Sequence, residues 1–423
     1  MPDDQHHEAT PGDPDGQLTK AQVLELAEKY VCPDRVRFLQ GAGIDLVVGR
    51  REGYRLWDMG GRELLDLHLN GGVYNLGHRH PRIVAALIEG VATYDIGNHH
   101  FPSSQRALLA RDLVTATPGM RYAVFAAGGG EAIDLAIKSA RRATGRTRIV
   151  SAHDAYHGHT GLALAVGDQG AAHSFLSESA DVTRVPFNDP DAVEAALAAG
   201  DVAAVILETV PATAGFVPPL PGYLTAVRDA CTRTGTLFIA DEVQTGLGRS
   251  GSLWAISAQD VVPDALVTGK GLSGGVYPIA ATLLGERAGG WLEEDGWGHI
   301  STFGGAELGC VVAREVLSLT QQLLPAVPGL AERWGQGLAD LRERHSGWLT
   351  GVRQTGLIIG LEFAHEVGGM LMTRMLYDEG VWAMFAGFDR RVLQLKPGLL
   401  LDGEDIDRVL AALDRACTTA AAL

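Results

Sequence analysis

The feature that most constrains the fold is a repeated alternation of short apolar runs with helical or glycine-rich stretches, between about residues 76 and 310. Buried strands separated by helices are typical of a mostly parallel sheet that carries helices on both faces. The pattern therefore predicts an α/β fold with such a sheet at its centre. The apolar runs are 148–151, 202–208, 237–240, 265–267 and 279–284.

Two of these runs lead into charged residues. Asp241 directly follows the run 237–240, and Lys270 closes the segment that begins with the run 265–267. Because ligands bind at the carboxyl edge of open α/β sheets, we expect both side chains in one site. Pyridoxal phosphate needs this pair, a lysine for its aldehyde and a carboxylate that keeps its pyridine nitrogen protonated. Taken alone, Lys270 would more often be a solvated loop lysine, as most lysines after a strand are.

A glycine turn supplies a candidate site for the phosphate. The segment 122–142 reads as a strand, the turn Gly128-Gly129-Gly130, and a helix with apolar residues on one face. Backbone N–H groups at a helix start, together with the helix dipole, suit a dianionic phosphate. An ordinary strand-to-helix turn would use glycine in the same way, so the turn alone leaves both interpretations open.

Together these segments resemble the class III aminotransferases, which include ornithine and 4-aminobutyrate aminotransferases and glutamate semialdehyde aminomutase. The likeness covers about 54–400, and its most specific motif is Asp-Glu-Val-Gln-Thr-Gly-Leu-Gly-Arg-Ser-Gly at 241–251. The resemblance implies a fold type I PLP-transferase, with a smaller α+β domain beside the large one. It also implies that Asp241 pairs with the pyridine nitrogen, Val243 packs under the ring and Gln244 lies near the ring hydroxyl.

The same resemblance assigns the other cofactor contacts. Lys270 would be the Schiff-base lysine. Tyr156 and His157 match an aromatic-His-Gly motif whose aromatic residue stacks on the second ring face. Gly129 and Gly130 match the phosphate turn.

Two further positions complete the implied site. Glu208 ends a predicted strand where the family carries a glutamate near the cofactor, although a solvated strand-end carboxylate is an equal alternative. Thr302 matches the threonine that reaches the phosphate in the neighbouring subunit's site. The resemblance therefore implies a homodimer as the active unit.

Departures from the family pattern concern the substrate. Many relatives pair a glutamate with an arginine that binds a carboxylate, and here Thr213 and Gln394 occupy those positions. A lone member of the pair would be an unpaired buried charge, so the joint loss is coherent. Carboxylate recognition is then either transferred, to Lys396 or Arg391, or absent from the substrate. The phosphate turn also lacks the two hydroxyls of the usual Ser-Gly-Thr or Ser-Gly-Ser, which predicts looser retention of the cofactor.

These features predict a PLP-dependent aminotransferase that exchanges an amino group between an amine or amino acid and a keto acid or aldehyde. The cofactor does not choose which bond breaks, so aminomutase, racemase or decarboxylase chemistry on the same fold is the alternative. A PLP-binding regulator without catalysis is a further alternative, which the presence of Asp241, Gln244 and Lys270 disfavours. The identity of the donor, the acceptor and the pathway does not follow from the sequence.

Composition limits the partners and the compartment. The net charge of −16 argues against nucleic acid or an anionic membrane as a partner. The four cysteines are far apart and no run is apolar enough to span a bilayer, which together predict free thiols and a cytoplasmic protein. The acidic segment 1–18 has no apolar periodicity and is expected to be disordered.

The remaining chain divides into three predicted parts. Residues 19–75 form an N-terminal segment packing with the small domain, 76–310 the large PLP-binding domain and 311–423 the C-terminal small domain. The motif Gly-x-Gly-x-x-Gly at 246–251 does not close a strand directly, so a dinucleotide site is disfavoured. The histidines near 153–159 lack a converging ligand set in sequence, and no metal is expected.

Overall fold

The computed structural model of the protein describes residues 18–420. The first described helix begins after Thr19, whose side chain accepts a hydrogen bond from Gln22 N–H, while Thr19 N–H donates one to Gln22 Oε1. This capping box stabilises the N-terminus of that helix. The helices are α1 (Lys20–Tyr30), α2 (Pro33–Gly41), α3 (Leu69–Gly72), α4 (Pro81–Val91), α5 (Ser104–Thr115), α6 (Gly129–Thr144), α7 (Gly161–Val166), α8 (Gln169–Ser174), α9 (Pro190–Leu197), α10 (Tyr223–Thr234), α11 (Glu286–Gly289), α12 (Glu307–Leu323), α13 (Val327–Arg344), α14 (Gly368–Asp378) and α15 (Gly403–Ala420).

The strands form three sheets. They are β1 (Val48–Glu52), β2 (Arg55–Asp58), β3 (Glu63–Asp66), β4 (Tyr122–Ala126), β5 (Arg148–Ala152), β6 (Val182–Val185), β7 (Val202–Glu208), β8 (Leu237–Asp241), β9 (Ala265–Thr268), β10 (Ala280–Leu284), β11 (Leu349–Thr355), β12 (Ile358–Phe363), β13 (Val381–Trp382), β14 (Met384–Phe385) and β15 (Val392–Leu395).

The central sheet has seven strands in the order β4-β10-β9-β8-β7-β5-β6. Strand β10 runs antiparallel to both neighbours, and the other pairings are parallel. Along β7, Val205 and Leu207 pack into one buried cluster with α5 and α10, while Ile206 faces the opposite cluster with α6. Helices thus cover both faces, and the predicted mostly parallel sheet is confirmed.

The two smaller sheets lie in the N-terminal and C-terminal parts. Strands β11-β12-β15-β14 form an antiparallel sheet, and α13, α14 and α15 contribute to the core that covers it, with Trp334 fully buried. Strands β1-β2-β3 accept β13 as a fourth member, which pairs parallel to β3. The N-terminal segment is therefore hydrogen-bonded to the C-terminal part of the chain.

One predicted domain limit falls inside a helix. The limit between residues 310 and 311 lies within α12, which continues to Leu323 and packs on α4 and α5. The chain therefore passes into the C-terminal part without a linker at that point. The predicted tail 1–18 lies outside the described residues except for Leu18, and the domain assignment stays a prediction.

Candidate active site

Lys270 begins a 3₁₀ turn that is separated from β9 by Gly269 alone. Its backbone has φ of +41°, an uncommon value for a residue other than glycine and one that recurs at functional sites. Its Nζ donates a hydrogen bond of 3.0 Å to Gln244 Oε1. Burial lowers the pKa of the Lys270 ammonium, although the charges of Asp241 and Glu208 oppose this shift. A lowered pKa makes the neutral, nucleophilic amine more available.

Asp241 is the last residue of β8 and is buried beside His157. His157 Nδ1 lies 2.8 Å from Asp241 Oδ2, and Val243 N–H donates to Asp241 Oδ1 at 3.0 Å. The carboxylate can only accept, so Nδ1 is the donor to it. His157 Nε2 has no hydrogen-bond partner within the described chain. The two contacts fix the orientation of the aspartate carboxylate at the sheet edge.

Glu208, the last residue of β7, is held by backbone groups. Its Oε1 accepts from Tyr156 N–H at 3.0 Å, and its Oε2 accepts from Ala212 N–H at 3.1 Å. Burial raises the pKa of the Glu208 carboxyl, and the nearby charge of Asp241 adds to that rise. Glu208 is therefore a buried carboxyl held by two hydrogen bonds. This disfavours the alternative interpretation of Glu208 as a solvated carboxylate at a strand end.

These side chains surround one cavity of about 160 Å³. It brings together nine of the ten cofactor residues that the sequence predicted, and adds Gly158 and Thr245. A second cavity of about 350 Å³ shares Gly129 and Lys270 with it. The lining residues of the first cavity are Gly129, Gly130, Tyr156, His157, Gly158, Glu208, Asp241, Val243, Gln244, Thr245 and Lys270.

The glycine turn begins α6 where it borders this cavity. A β-carbon at Gly130 would lie 2.8 Å from Thr160 Oγ1, and one at Gly158 would lie 2.9 Å from Gly130 Cα. Gly158 also has φ of +112°. The start of the 16-residue helix α6 is therefore open to a ligand on one side and closely packed on the other. Thr160 was missed by sequence reasoning, because only the folded loop brings its hydroxyl to the turn.

Thr302 is the one predicted cofactor residue that does not line the cavity. It is exposed in the single chain and lies in a segment with Trp297, Ile300 and Phe303, which are 64%, 55% and 54% exposed. Phe101 is a further exposed aromatic residue, at 72%. The contact of Thr302 with the phosphate in a neighbouring subunit's site therefore stays a prediction.

The predicted substrate residues lie on the C-terminal side. Gln394 Nε2 donates to the Ala212 carbonyl oxygen, and Gln394 Oε1 accepts from Lys396 Nζ at 2.7 Å. Thr213 is half-buried, and its carbonyl oxygen accepts from Phe388 N–H at 3.0 Å. Thr213 and Gln394 therefore form no pair with each other through their side chains.

His68 is a second residue that the sequence did not single out. Its Nδ1 lies 3.2 Å from Lys396 Nζ. Burial lowers the pKa of His68 well below its usual value, and the charges of Lys396 and Lys270 lower it further. The pattern around position 68 offered no signal, because its partner follows 328 residues later.

The residues present fit pyridoxal phosphate. A buried carboxylate, a lysine of lowered pKa and a helix start free of side chains face one cavity, and these are the groups needed by the ring nitrogen, the aldehyde and the phosphate. Within residues 18–420, no group of three or more histidine, cysteine, aspartate or glutamate residues is arranged to hold a metal. No helix in that same range has the length and apolar composition needed to cross a membrane.

The sheet and the groups at its carboxyl edge define a PLP enzyme of fold type I. The family description "Aminotransferase class-III" matches residues 40–417, and the chain belongs to this family of PLP-dependent aminotransferases. An uncharacterized aminotransferase of Archaeoglobus fulgidus is 46% identical over 397 residues, which are 93% of each chain.

Solved structures agree with this assignment. The chain is similar to the ornithine aminotransferase of Toxoplasma gondii ME49, with 26% identity, a TM-score of 0.86 and 96% of each chain covered. It is also similar to the N-acetylornithine aminotransferase of Stenotrophomonas maltophilia K279a, with 28% identity and a TM-score of 0.78. That match covers 94% of this chain and 99% of the other.

Proposed function

We propose that the protein transfers an amino group between an amine or amino acid and a keto acid or aldehyde, with Lys270 as the residue that holds the cofactor covalently. The observation that carries this proposal is the cavity in which Lys270, Asp241 and the start of α6 meet. When bound, the cofactor accepts the amino group and withdraws electrons from the carbon that loses a proton.

Each of the chain's own groups has a separate task in this proposal. Asp241, oriented by His157, holds a proton on the ring nitrogen by its negative charge. The Val243 side chain supports the ring from the side of Gly129. Lys270 Nζ, once free, moves a proton at the substrate carbon that bears the nitrogen, and Gln244 Oε1 positions that amine.

We further propose a cytoplasmic homodimer in which Thr302 contributes to the phosphate site of the partner. Exposed Phe101, Trp297, Ile300 and Phe303 in the single chain support an interface on this face, since large apolar patches mark contact surfaces. Light scattering should give twice the chain mass. Thr302→Val should weaken cofactor binding, whereas Thr302→Ser, which keeps the hydroxyl, should retain it.

Lys270→Ala tests the chemistry directly. We expect turnover to fall below detection while the melting temperature stays near that of the parent, because one partly buried amine is removed from a sheet edge. Addition of cofactor should still saturate the variant without a covalent bond. Activity that persists in Lys270→Ala would contradict the proposal.

A single half-reaction separates transamination from its alternatives. An amino donor added alone to the enzyme should release one keto product per active site and then stop. A racemase would invert the donor without that product, and a decarboxylase would release carbon dioxide. A regulator without catalysis would show none of these reactions.

A further inference from the structure

Lys396 is a buried lysine with no acidic partner. Lys396 is only 1% exposed. Its Nζ lies 2.7 Å from Gln394 Oε1 and 3.2 Å from His68 Nδ1. The Phe216 ring lies 5.4 Å away. Throughout residues 18–420, no carboxylate forms an ion pair with Lys396. An ammonium group buried in this way lacks the countercharge that normally accompanies it.

The surroundings of Lys396 do not supply that countercharge. Lys270 and Arg249 place positive charge near it, and Asp66 is the acid whose charge acts in the opposite direction. The Asp66 carboxylate already forms a hydrogen bond with His78, with 2.9 Å between Asp66 Oδ2 and His78 Nε2. Burial lowers the pKa of the Lys396 ammonium well below its usual value, and the two cations lower it further.

Arg391, the other cation that the sequence offered, is differently placed. Its side chain is 47% exposed and forms ion pairs with Asp389 at 3.0 Å and with Glu362 at 3.2 Å. Arg391 is therefore neutralised at the surface. Of the two basic residues that flank β15, Lys396 is the one that is buried and has no acidic partner among the described residues.

Lys396 lies between two segments that border the catalytic cavity. Gln394 Nε2 donates a hydrogen bond to the Ala212 carbonyl oxygen, and Ala212 N–H donates one to Oε2 of the cavity residue Glu208. On the other side, His68 precedes α3, where a β-carbon at Gly71 would lie 3.5 Å from Lys270 Nζ. Lys396 is therefore linked by short chains of contacts to Glu208 on one side and to the neighbourhood of Lys270 on the other.

We propose that Lys396 binds a carboxylate of the amino donor or acceptor, and that Gln394 holds the amine in place until that carboxylate arrives. This inference rests on the aminotransferase function proposed above. A lysine is a compact point charge and does not impose the two-point geometry of an arginine. The site would then accept carboxylates at more than one angle, which suits a broader set of acids than a bidentate arginine does.

The binding of a carboxylate should be accompanied by the uptake of a proton. Without an anion, burial and the charges of Lys270 and Arg249 lower the pKa of Lys396 and so disfavour its charged form, against the opposing charge of Asp66. A bound carboxylate supplies the missing charge and restores the ammonium. Lys396→Arg should remove the uptake but keep the affinity, because arginine stays protonated.

Calorimetry on the cofactor-loaded protein tests this with butyrate and glutarate, which carry carboxylates but no amino, keto or aldehyde group. Titrations in two buffers of different ionisation enthalpy give the protons bound. We expect at least one acid to bind with proton uptake, and Lys396→Met to weaken it about 10- to 150-fold and abolish the uptake. Lys29→Met, at an exposed lysine, is the matched control and should change neither quantity.

The outcomes separate this inference from the function itself. Equal affinity in Lys396→Met, binding without proton uptake in the parent, or no binding of either acid would overturn the role of Lys396. These readouts need no turnover, so they stand even if the half-reaction test fails. In the active enzyme, Lys396→Met should lower the ratio of kcat/KM for a carboxylate-bearing donor to that for a simple amine by the same factor.

Discussion

Gly130 and Thr160 face each other so closely that a β-carbon at position 130 would lie 2.8 Å from Thr160 Oγ1 and 3.2 Å from its Cγ2. The family's threonine therefore cannot be restored at this position without displacing Thr160. Gly128 differs, because no atom lies within 4 Å of the β-carbon that would be added there. The two ends of one glycine turn should thus respond in opposite ways to substitution.

Gly130→Thr should destabilise the protein by about 1–3 kcal/mol, the usual effect of overpacking. Urea unfolding followed by circular dichroism measures this change. Thr160→Ala removes both close atoms, so the double variant should recover most of the loss. If the Gly130→Thr protein were as stable as the parent, the loop that carries Thr160 would be able to move away without loss of stability, which would contradict this prediction.

Gly128→Ser should strengthen cofactor retention. Serine at the residue before α6 suits the helix start and restores one hydroxyl donor to the phosphate, where a hydrogen bond to a charged group contributes about 1.5–3 kcal/mol. The dissociation constant from fluorescence titration should fall about 10- to 100-fold, and loss on dialysis should slow. A parent enzyme that stays saturated through long dialysis would contradict the predicted looseness.

Asp241→Asn should lower kcat by about 10³. An aspartate about 4 Å from a protonated ring nitrogen interacts by roughly 4 kcal/mol at an effective dielectric constant near 20, and asparagine removes that charge. Steady-state kinetics measures the loss. Asp201→Asn, at an exposed ion pair with Arg148, is the control and should leave kcat unchanged. A fall of less than tenfold would argue against a charge role for Asp241.

Lys270 should react at lower pH than Lys20. Burial lowers the pKa of Lys270, whereas hydrogen bonds to Asp45 and Asp58 outweigh burial and raise that of Lys20. At any pH below both values, Lys270 therefore has the larger neutral fraction. Reductive methylation of the cofactor-free protein across pH 7–10, read by mass spectrometry, gives each midpoint. A midpoint for Lys270 at or above that of Lys20 would refute the shift.

Strand ends were the part of the fold that the sequence predicted best. The run 202–208 coincides with β7, and the acid after the run 237–240 closes β8, because a buried parallel strand is apolar along its whole length. Strands β1 and β6 were missed, since Val-Gly-Arg-Arg-Glu and Val-Thr-Arg-Val lack that signature and lie at sheet edges. The direction of β10 also could not be read from its apolar composition.

The candidate site divides in the same way. Residues at the ends of central-sheet strands, such as Glu208 and Asp241, could be placed from local pattern alone. His68, Thr160 and the choice between Lys396 and Arg391 could not. Their environments depend on ion pairs and contacts between distant segments, and periodicity carries no information about which lysine or arginine finds an acid.

Lys270 and Lys396 are carried by different sheets. Lys270 follows β9, whose Thr268 pairs in register with Ala281 of the adjoining β10, so its amine is fixed to the seven-stranded sheet. Lys396 directly follows β15 of the C-terminal four-stranded sheet. Substitutions in the C-terminal sheet can therefore alter which substrates bind, while the amine of Lys270 keeps its position on the seven-stranded sheet. Evolution of new substrate preferences in this chain would be expected to accumulate in residues 384–399 and to spare the β9–β10 hairpin.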